Sequence, residues 1–479
     1  MISGVMLQAF EWNLPADGTL YQTLKTQARR LSSLGITSVW MPPAAKGLSD
    51  ADVGYGNYDF WDLGEFDQKG TIRTKYGSKE QLADCIRALQ QYGIDVYADM
   101  VFNHKGGADF TETFKAVKVN PENRMEDIGA EQDIDGWTGF SFPGRGDKYS
   151  DFKWHFYHFN GVDYDNKSKQ NGIYRIVGEN KYWNTDTDSE KGNFDYLMGA
   201  DIDHAHPEVV AELHRLADYM IETMHYNGFR YDALKHVSRE FIDHLSNYII
   251  KKHPDFYFVG EYWKNDEGML NYYLEQTEYH IDLFDVTLHF HFREASVNQD
   301  YDIRHIFDGS LVSQKPDHAV TFVDNHDSQP GQSLQSWVEP WFKEIAYALI
   351  LLRKDGYPCV FWGDYFGING DAYGGIGAQL EAMLKARRLY AWGEQEDIFA
   401  ENKLIGWVRH GDADHPKKLA VLISTGDAGQ LSMRVDKAHA GKQYKDLSGK
   451  NDPVVIDDEG NGLFTVPPGS VTYWVAQED

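Results

Sequence analysis

An alternation of amphipathic helices with short apolar strands runs through this chain and limits its possible folds. Apolar residues recur at helical spacing through residues 20–34, stop at Gly35, and give way to an apolar strand at 36–41. The same order begins again at Ser78, which has a glutamine three residues on and so matches a capping box, and at Pro207, a favoured first helical residue. Helices that alternate with mostly apolar strands predict a parallel sheet covered by helices.

Eight such strands can be counted along the chain. They are residues 5–10, 36–41, 94–101, 229–233, 256–260, 281–286, 319–323 and 359–362. Eight parallel strands predict a closed (β/α)8 TIM barrel, although the pattern alone also fits an open, doubly wound sheet. No strand is followed by a glycine-rich phosphate loop, which argues against a nucleotide-dependent enzyme.

Two stretches depart from this alternation. Residues 104–205 are rich in glycine, aspartate, asparagine and aromatic residues, and a structureless loop of about 100 residues would be unusual in a compact domain. Towards the C-terminus, short strands alternate with turns. We therefore predict a barrel formed by residues 1–103 and 206–395, a small β-rich domain inserted after strand 3 at 104–205, and an antiparallel β-sandwich at 396–479.

Charge and apolar content exclude several classes of partner. With 46 basic and 74 acidic side chains the formal net charge is −28, which argues against binding to nucleic acid. The longest strongly apolar stretches, such as 345–352, are much shorter than the roughly 20 residues of a membrane span. Two cysteines, Cys85 and Cys359, cannot build a disulfide framework, and the run 5–10 does not match a signal peptide. We expect a monomeric cytoplasmic protein, with a secreted protein that has lost its leader as the alternative.

Ionisable residues cluster where four of the predicted strands end. The clusters lie at residues 99–104, 229–236, 258–263 and 322–327. One cluster alone would be as consistent with a solvated strand end as with a site. Because the carboxyl ends of barrel strands all meet at one rim, four clusters there predict a common active site.

The chemistry of these clusters suggests an acid and a nucleophile. Arg230 and Asp232 are two residues apart on a strand and should face the same side, where the guanidinium favours the ionised carboxylate that a nucleophile requires. Glu261 follows an apolar run and precedes two aromatic residues, so desolvation there would raise its pKa, as a general acid requires. Asp327 supplies a third carboxylate. Two carboxyl groups in opposite protonation states are the minimum for retaining glycoside hydrolysis.

The four clusters resemble the signature regions of the α-amylase family of retaining glycoside hydrolases. The resemblance extends from residues 4–12 to the C-terminal β region, and segments 151–158 and 322–331 look like those of the bacterial liquefying and cytoplasmic α-amylases. It implies endo-acting hydrolysis of α-1,4-glucosidic bonds in starch, glycogen and maltooligosaccharides through a covalent glycosyl-enzyme intermediate. A related α-glucan transglycosylase or debranching hydrolase is the alternative, and a non-catalytic carbohydrate-binding barrel is a second one.

Matched position by position, the resemblance assigns roles to individual residues. It implies that Asp232 is the nucleophile, Glu261 the acid/base and Asp327 a stabiliser of the transition state. Residues that would contact the α-glucan substrate are Tyr55, His104, Arg230, Lys235, His236, Trp263 and His326. For the Trp263 ring, a place in the core is an equally good interpretation.

Oxygen-bearing side chains recur near the junction of barrel and insert. From the residues alone, an acidic, solvated insert is the better explanation. The α-amylase family has a structural calcium ion with oxygen ligands of this kind. The resemblance implies that its ligands here are Asn103, Asp195, Asp201 and the backbone carbonyl of His236. Liquefying relatives often add a second calcium with two more aspartates, and the matching positions here are Asn160 and Asn184. We therefore expect one calcium ion and regard a second as doubtful.

Overall fold

The computed structural model describes residues 4–477, and its centre is a closed barrel of eight parallel strands. The strands are Met6–Gln8, Ser38–Trp40, Asp95–Met100, Gly228–Tyr231, Tyr257–Gly260, Asp282–Phe284, Ala319–Phe322 and Tyr357–Phe361. Each pairs with the next along the chain, and the first also pairs with the eighth, which closes the barrel. The predicted (β/α)8 fold is confirmed, and the open-sheet alternative is wrong.

The barrel is enclosed by helices, some of which begin or end at residues that their local sequence favours. The helices are Leu20–Leu34, Lys79–Gln91, Pro207–Glu222, Arg239–Lys252, Glu267–Gln276, Val286–Val297, Leu311–Gln314, Pro340–Leu351, Trp362–Phe366 and Gly377–Tyr390. Gly35 ends the first with a φ of 97°, a left-handed conformation that glycine adopts readily. Ser78 forms the expected capping box with Gln81. Within residues 4–477, every helix is too short or too polar to span a membrane.

The insert leaves the barrel directly after the third strand and returns at Pro207. Its strands are His104–Lys105, Phe110–Asn120, Asn123–Asp127, Gln132–Gly139, Phe159–Asp165, Gln170–Ile176 and Ala200–Ile202. They form one mainly antiparallel sheet. The backbone N–H of Ile202 donates to the carbonyl of Asn103, and that of Asp188 donates to Lys235, so the insert lies against the rim where the barrel strands end.

The C-terminal region consists of antiparallel strands. They are Gln395–Glu401, Leu404–Arg409, Leu419–Ser424, Gly429–Arg434, Gln443–Asp446, Val454–Val455, Asn461–Val466 and Ser470–Ala476. Six form one sheet and two form a second, and residues of both sheets share a buried cluster that includes Leu422, Met433 and Trp474. The additional β domains agree with the predicted fold class. The four domain boundaries stay predictions, and the first strand of this region begins at Gln395, one residue before the boundary we expected.

A buried lysine joins the ends of the last two barrel strands. The Lys343 side chain is fully buried, and its Nζ donates to the carboxylates of Asp324 and Asp364, the latter at 2.7 Å. Asp324 follows the seventh strand and Asp364 follows the eighth. Burial raises the pKa of Asp324 to about 7 even with Lys343 beside it. The loop that carries Asp327 therefore begins at a buried ionic contact.

Replacing Lys343 by methionine should leave two buried carboxylates without a cation. We expect Lys343→Met to lower the free energy of unfolding by about 3–5 kcal/mol, the usual effect of removing one partner from a buried ion pair. Urea unfolding followed by circular dichroism measures the change. The matched control is Lys385→Met, because Lys385 is an exposed lysine 3.9 Å from Glu381 and should contribute less than about 1 kcal/mol. Equal effects of the two substitutions would contradict the prediction.

Candidate active site

A cleft of about 360 Å³ opens at the rim of the barrel beside the insert. The residues around it come from loops after barrel strands and from the insert. They are Trp12, Tyr55, His104, Glu190, Phe194, Leu197, Met198, Asp232, Ala233, Lys235, His236, Glu261, Trp263, Asp327, Ser333 and Leu334. Among the catalytic and substrate residues predicted from the sequence, only Arg230 and His326 do not line this cleft. Both are fully buried and contact residues that do.

Strand pairing carries the two main carboxyl groups to the cleft. Asp232 directly follows the fourth strand, and its N–H donates to the carbonyl of Met100 at 3.1 Å. Glu261 directly follows the fifth strand, and its N–H donates to the carbonyl of Tyr231 at 3.0 Å. The sheet's hydrogen bonding therefore continues one residue past each strand and fixes the backbone of both acidic residues.

One buried guanidinium contacts three carboxyl groups. Nη1 of Arg230 donates to Oδ1 of Asp99 at 2.8 Å and to Oδ1 of Asp232 at 2.6 Å, and Nη2 donates to Glu261. The guanidinium also lies 4.7 Å from the centre of the Trp40 ring. Burial alone would lower the pKa of Arg230, but the neighbouring carboxylates of Asp99 and Glu261 outweigh it and raise that pKa well above its usual range. Arg230 is therefore a permanent cation at the centre of the site.

The carboxyl groups in the cleft differ in how readily they ionise. Burial, with the negative charges of Asp232 and Asp327, raises the pKa of Glu261 to about 8 despite Arg230. Burial, followed by repulsion from Asp232, raises the pKa of Asp327 to about 7. Near neutral pH the protein therefore holds a protonated carboxyl group at Glu261, beside an arginine-bonded carboxyl group at Asp232. An acid and a nucleophile in one cleft are what retaining glycoside hydrolysis needs.

Asp99 has a role in the site that we did not assign from the sequence. It faces Arg230 in the register of strands three and four. Its carboxylate accepts hydrogen bonds from Arg230, from the hydroxyl of Tyr55 at 2.8 Å and from Nε1 of Trp40 at 3.0 Å. Burial raises the pKa of Asp99 to about 6. Asp99 thus positions both the central cation and an aromatic ring of the cleft.

Three rings lie nearly parallel beside the catalytic residues. The planes of Trp12, Tyr55 and His326 differ by at most 8°, with ring centres 5.1 to 5.9 Å apart. Nδ1 of His326 accepts a hydrogen bond from the amide of Gln8 at 2.9 Å, so its proton is on Nε2, which lies 3.3 Å from Oδ2 of Asp327. We also did not assign Trp12 to the site from the sequence. The signal that could have identified it is an aromatic residue four positions after the first strand.

The other predicted contacts lie where barrel and insert face each other. Nζ of Lys235 donates to Glu190 of the insert at 2.8 Å and lies 3.4 Å from the carbonyl of Trp263. The Trp263 ring is half-buried and packs near His289 and Phe290, so it belongs both to the core and to the cleft.

The residues predicted to hold calcium lie together beneath the insert. Asn103, Asp195 and Asp201 are fully buried. Burial raises the pKa of Asp195 to about 7 and that of Asp201 well above its usual range. Oδ2 of Asp201 is buried and has no hydrogen-bond partner among residues 4–477. Two adjacent buried carboxylates are costly to keep ionised without a cation.

The protonation of His104 gives an independent test of this site. Burial lowers the pKa of His104, and a neutral imidazole carries one proton. His104 Nε2 uses that proton to bond the carbonyl of Tyr55 at 2.8 Å, so Nδ1 needs a donor. The atom 3.1 Å from Nδ1 is Oδ1 of Asn103, while Nδ2 of Asn103 lies 2.8 to 3.4 Å from three oxygens. Rotating the Asn103 side-chain amide by 180° places its Nδ2 beside Nδ1 of His104, where it can donate. Oδ1 of Asn103 then faces the three oxygens, and oxygens that face one another in this way require a cation between them.

These three oxygens belong to residues of the predicted ligand set. They are the backbone carbonyls of Asp195 and His236 and Oδ1 of Asp201. Together with the Asn103 amide they are all oxygen donors of the kind calcium prefers. The residues present therefore fit a calcium ion.

A different cluster, outside the cleft, does not fit calcium. Within residues 4–477, His158, His206 and Glu208 bring one possible metal-binding atom each to within 4.8 Å of one another. Nδ1 of His158 accepts the backbone N–H of His155 at 3.0 Å, so the proton lies on Nε2, which donates to Glu208 at 3.2 Å. The nitrogen that faces the cluster has no free lone pair for a metal ion, and two imidazoles are poor calcium ligands.

Comparisons with known proteins place the chain among related sequences. The family model described as "Alpha amylase, catalytic domain" matches residues 24–404. An α-amylase of Geobacillus stearothermophilus is 48% identical over 480 residues, which cover 99% of this chain and 87% of that protein. The cytoplasmic α-amylase of Escherichia coli (strain K12) is 40% identical over 497 residues, with both chains covered completely.

Solved structures support the same conclusion at the level of the fold. An α-amylase of Geobacillus thermoleovorans, complexed with acarbose, matches with a TM-score of 0.66 over 99% of this chain and 98% of that one, at 15% identity. Both the family predicted from the four clusters and the predicted fold are confirmed. On its sequence, its fold and the extent of these matches, the chain belongs to the α-amylase family.

Proposed function

We propose that this protein is an endo-acting α-amylase, which hydrolyses internal α-1,4-glucosidic bonds with retention of configuration. The observation that carries the proposal is the contact of one buried guanidinium, Arg230, with both Asp232 and Glu261 at the floor of an open cleft. Relatives 47–48% identical over nearly the whole chain are named α-amylase or glucan 1,4-alpha-maltohexaosidase.

The geometry supports a two-step displacement. Asp232 attacks the anomeric carbon while protonated Glu261 donates its proton to the departing glycosidic oxygen, and the chain is cleaved with formation of a glycosyl ester on Asp232. Glu261, now ionised, accepts a proton from water as the water oxygen attacks the anomeric carbon, and the bond to Asp232 breaks to release its carboxylate. Asp327 lies beside His326 and stabilises the positive charge that develops on the sugar.

The walls of the cleft suit an α-glucan. Tyr55 and Trp12 offer parallel ring faces, and Trp263 offers a half-buried one, on which sugar rings can stack. Lys235 lines the cleft and supplies N–H donors for sugar hydroxyls. Starch, glycogen and maltooligosaccharides share the repeating unit that this arrangement would bind.

Transglycosylation is the closest alternative, because it uses the same ester intermediate. A 4-alpha-glucanotransferase of Thermotoga maritima is 24% identical over 74% of this chain. The hydrolases are about twice as similar and match over a longer stretch, which favours water as the acceptor. The presence of all three carboxyl groups in one cleft disfavours a non-catalytic binding barrel.

Calcium is typical of this family, and we propose one structural ion in this chain. Its ligands would be Asn103, Asp195, Asp201 and the carbonyl of His236. The ion would neutralise two buried carboxylates and hold the insert against the barrel next to His104, without contact with the reacting bond.

We propose a cytoplasmic, monomeric enzyme. The support for the cytoplasmic location is similarity to the cytoplasmic enzyme of Escherichia coli over its full length. A secreted protein stays the alternative, and fractionation of the source cells distinguishes the two.

Removing the nucleophile should abolish starch hydrolysis. We expect Asp232→Asn to lower kcat by about 10⁴-fold or more, because the ester can no longer form. New reducing ends from soluble starch measure the rate, and proton NMR of the first products of the unsubstituted enzyme should show the α-anomer. The exposed Asp300 provides the control, since Asp300→Asn should keep full activity. Comparable rates for Asp232→Asn and the unsubstituted enzyme would refute the proposal.

The pH profile should report the protonation of Glu261. Only the protonated acid donates, so kcat/KM should fall as pH rises through about 8, the raised pKa of Glu261. Asp327 is one of the charges that raise this pKa. Asp327→Asn should therefore move the alkaline limb to lower pH, besides lowering the rate, while Asp300→Asn should leave it in place. A limb that stays fixed or moves upward in Asp327→Asn would contradict this assignment.

Calcium removal should destabilise the protein. Without the ion, Asp195 and Asp201 are buried together, so chelation should lower the thermal midpoint by several degrees, and added calcium should restore it. Asp201→Asn should weaken calcium binding, measured by calorimetry. Glu208→Gln, in the histidine cluster, should not. An unchanged midpoint after chelation, or equal losses of affinity in the two variants, would exclude the site.

A further inference from the structure

A lysine ammonium lies within the charged junction between the insert and the barrel. Nζ of Lys181 forms an ion pair with the carboxylate of Asp203, and the two side chains are only 8% and 7% exposed. Lysine is rarely this buried, and when it is, it is paired. Asp203 is fixed from other directions as well, because its Oδ1 accepts the N–H of Ala205 at 3.0 Å and its own N–H donates to the carbonyl of His158 at 3.0 Å.

The neighbouring carboxylate, Asp195, has neutral partners instead. Asn184 donates to it twice, from its backbone N–H at 2.8 Å and from its side-chain amide at 2.9 Å. The amide of Asn160 donates to it at 3.2 Å. These amides orient the carboxylate but supply no positive charge.

The charges at the junction balance with one divalent ion. Asp195, Asp201 and Asp203 carry three negative charges when ionised, Lys181 carries one positive charge, and a calcium ion would supply two. Buried charges are tolerated when they are matched in this way. The count leaves no deficit for a second metal ion to fill.

A further cation, Arg124, lies outside this count, and its charge partly offsets the rise in the pKa of Asp201. Arg124 lies with its guanidinium 4.4 Å from the centre of the Phe194 ring, and its Nη1 donates to the carbonyl of Tyr196. Across residues 4–477, its guanidinium forms no ion pair with any of the three carboxylates, so it acts on them only at longer range.

We propose that Lys181 is a built-in cation of this junction, which takes the place that a second metal ion would otherwise have to fill. The proposal rests on the calcium site proposed above and limits it to one ion. A second ion would find two buried oxygens without partners, Oδ1 of Asn160 and Oδ2 of Asp201, whereas calcium takes six to eight oxygens.

The first test removes the ammonium. In Lys181→Met, Asp203 is left unpaired, so the thermal midpoint at a fixed calcium concentration should fall and should become dependent on added sodium but not on choline chloride. Lys115→Met is the matched control, since Lys115 is a lysine of the same insert whose ion pair with Glu131, at 2.7 Å, is exposed. The control should show no such cation dependence. Lys181→Arg, which keeps the charge, should restore the behaviour of the unsubstituted protein.

The second test counts ions directly. Elemental analysis after gel filtration in calcium buffer should give one calcium per chain for the unsubstituted protein and for Lys181→Arg. Adding carboxylates while removing the ammonium, in the triple variant Lys181→Met, Asn160→Asp, Asn184→Asp, should raise the ratio to two.

The possible outcomes separate the two proposals. Two calcium ions in the unsubstituted protein would overturn the role of Lys181 and leave the calcium site intact. The absence of any bound calcium would overturn the site, and the inference with it. A cation dependence of Lys181→Met no greater than that of Lys115→Met, or a triple variant that still holds one ion, would overturn the role of Lys181 alone.

Discussion

The active site depends on one buried positive charge shared among several carboxyl groups. Arg230 bonds Asp99, Asp232 and Glu261, and Asp327 lies close enough to repel Asp232 and Glu261. A single guanidinium cannot compensate four largely buried negative charges, so some of these groups must retain protons. The protonated carboxyl group needed for catalysis thus follows from the excess of four carboxyl groups over one guanidinium.

This arrangement exists only because the barrel closes in one register. Pairing of the third and fourth strands sets Asp99 opposite Arg230, and pairing of the fourth and fifth brings Glu261 to the same guanidinium. The chain continues from the strand that carries Asp99 to Asn103 and His104, where the proposed calcium site begins. The amide of Asn103 contacts both His104 and the oxygens of that site, so the charge at the junction also fixes a ring of the cleft.

The sequence predicted what depends on local pattern and missed what depends on register. Helical periodicity and strand-end clusters identified all eight strands and placed Asp232 and Glu261 in one cleft. Asp99 was part of a recognised cluster, but its contact with Arg230 becomes visible only when two strands pair. The pairing of Lys181 with Asp203 lies inside the insert, where no periodic pattern indicates which side chains meet. Most predicted strands were too long, because buried residues extend beyond the hydrogen-bonded ladder, whereas the eighth begins at Tyr357, two residues before its predicted start.

Within the insert, cleft residues and proposed ligands alternate along one short segment. Phe194, Leu197 and Met198 face the cleft, while Asp195 and Asp201 face the junction beneath it. Because backbone positions this close cannot move independently, a change in the charge balance of the junction would displace the apolar wall of the cleft. If a bound metal ion neutralised these carboxylates, the position of that wall would depend on the ion concentration. A lysine side chain cannot dissociate, so the part of the charge that it neutralises stays neutralised. The ammonium of Lys181 therefore bears on the shape of the substrate cleft as well as on stability.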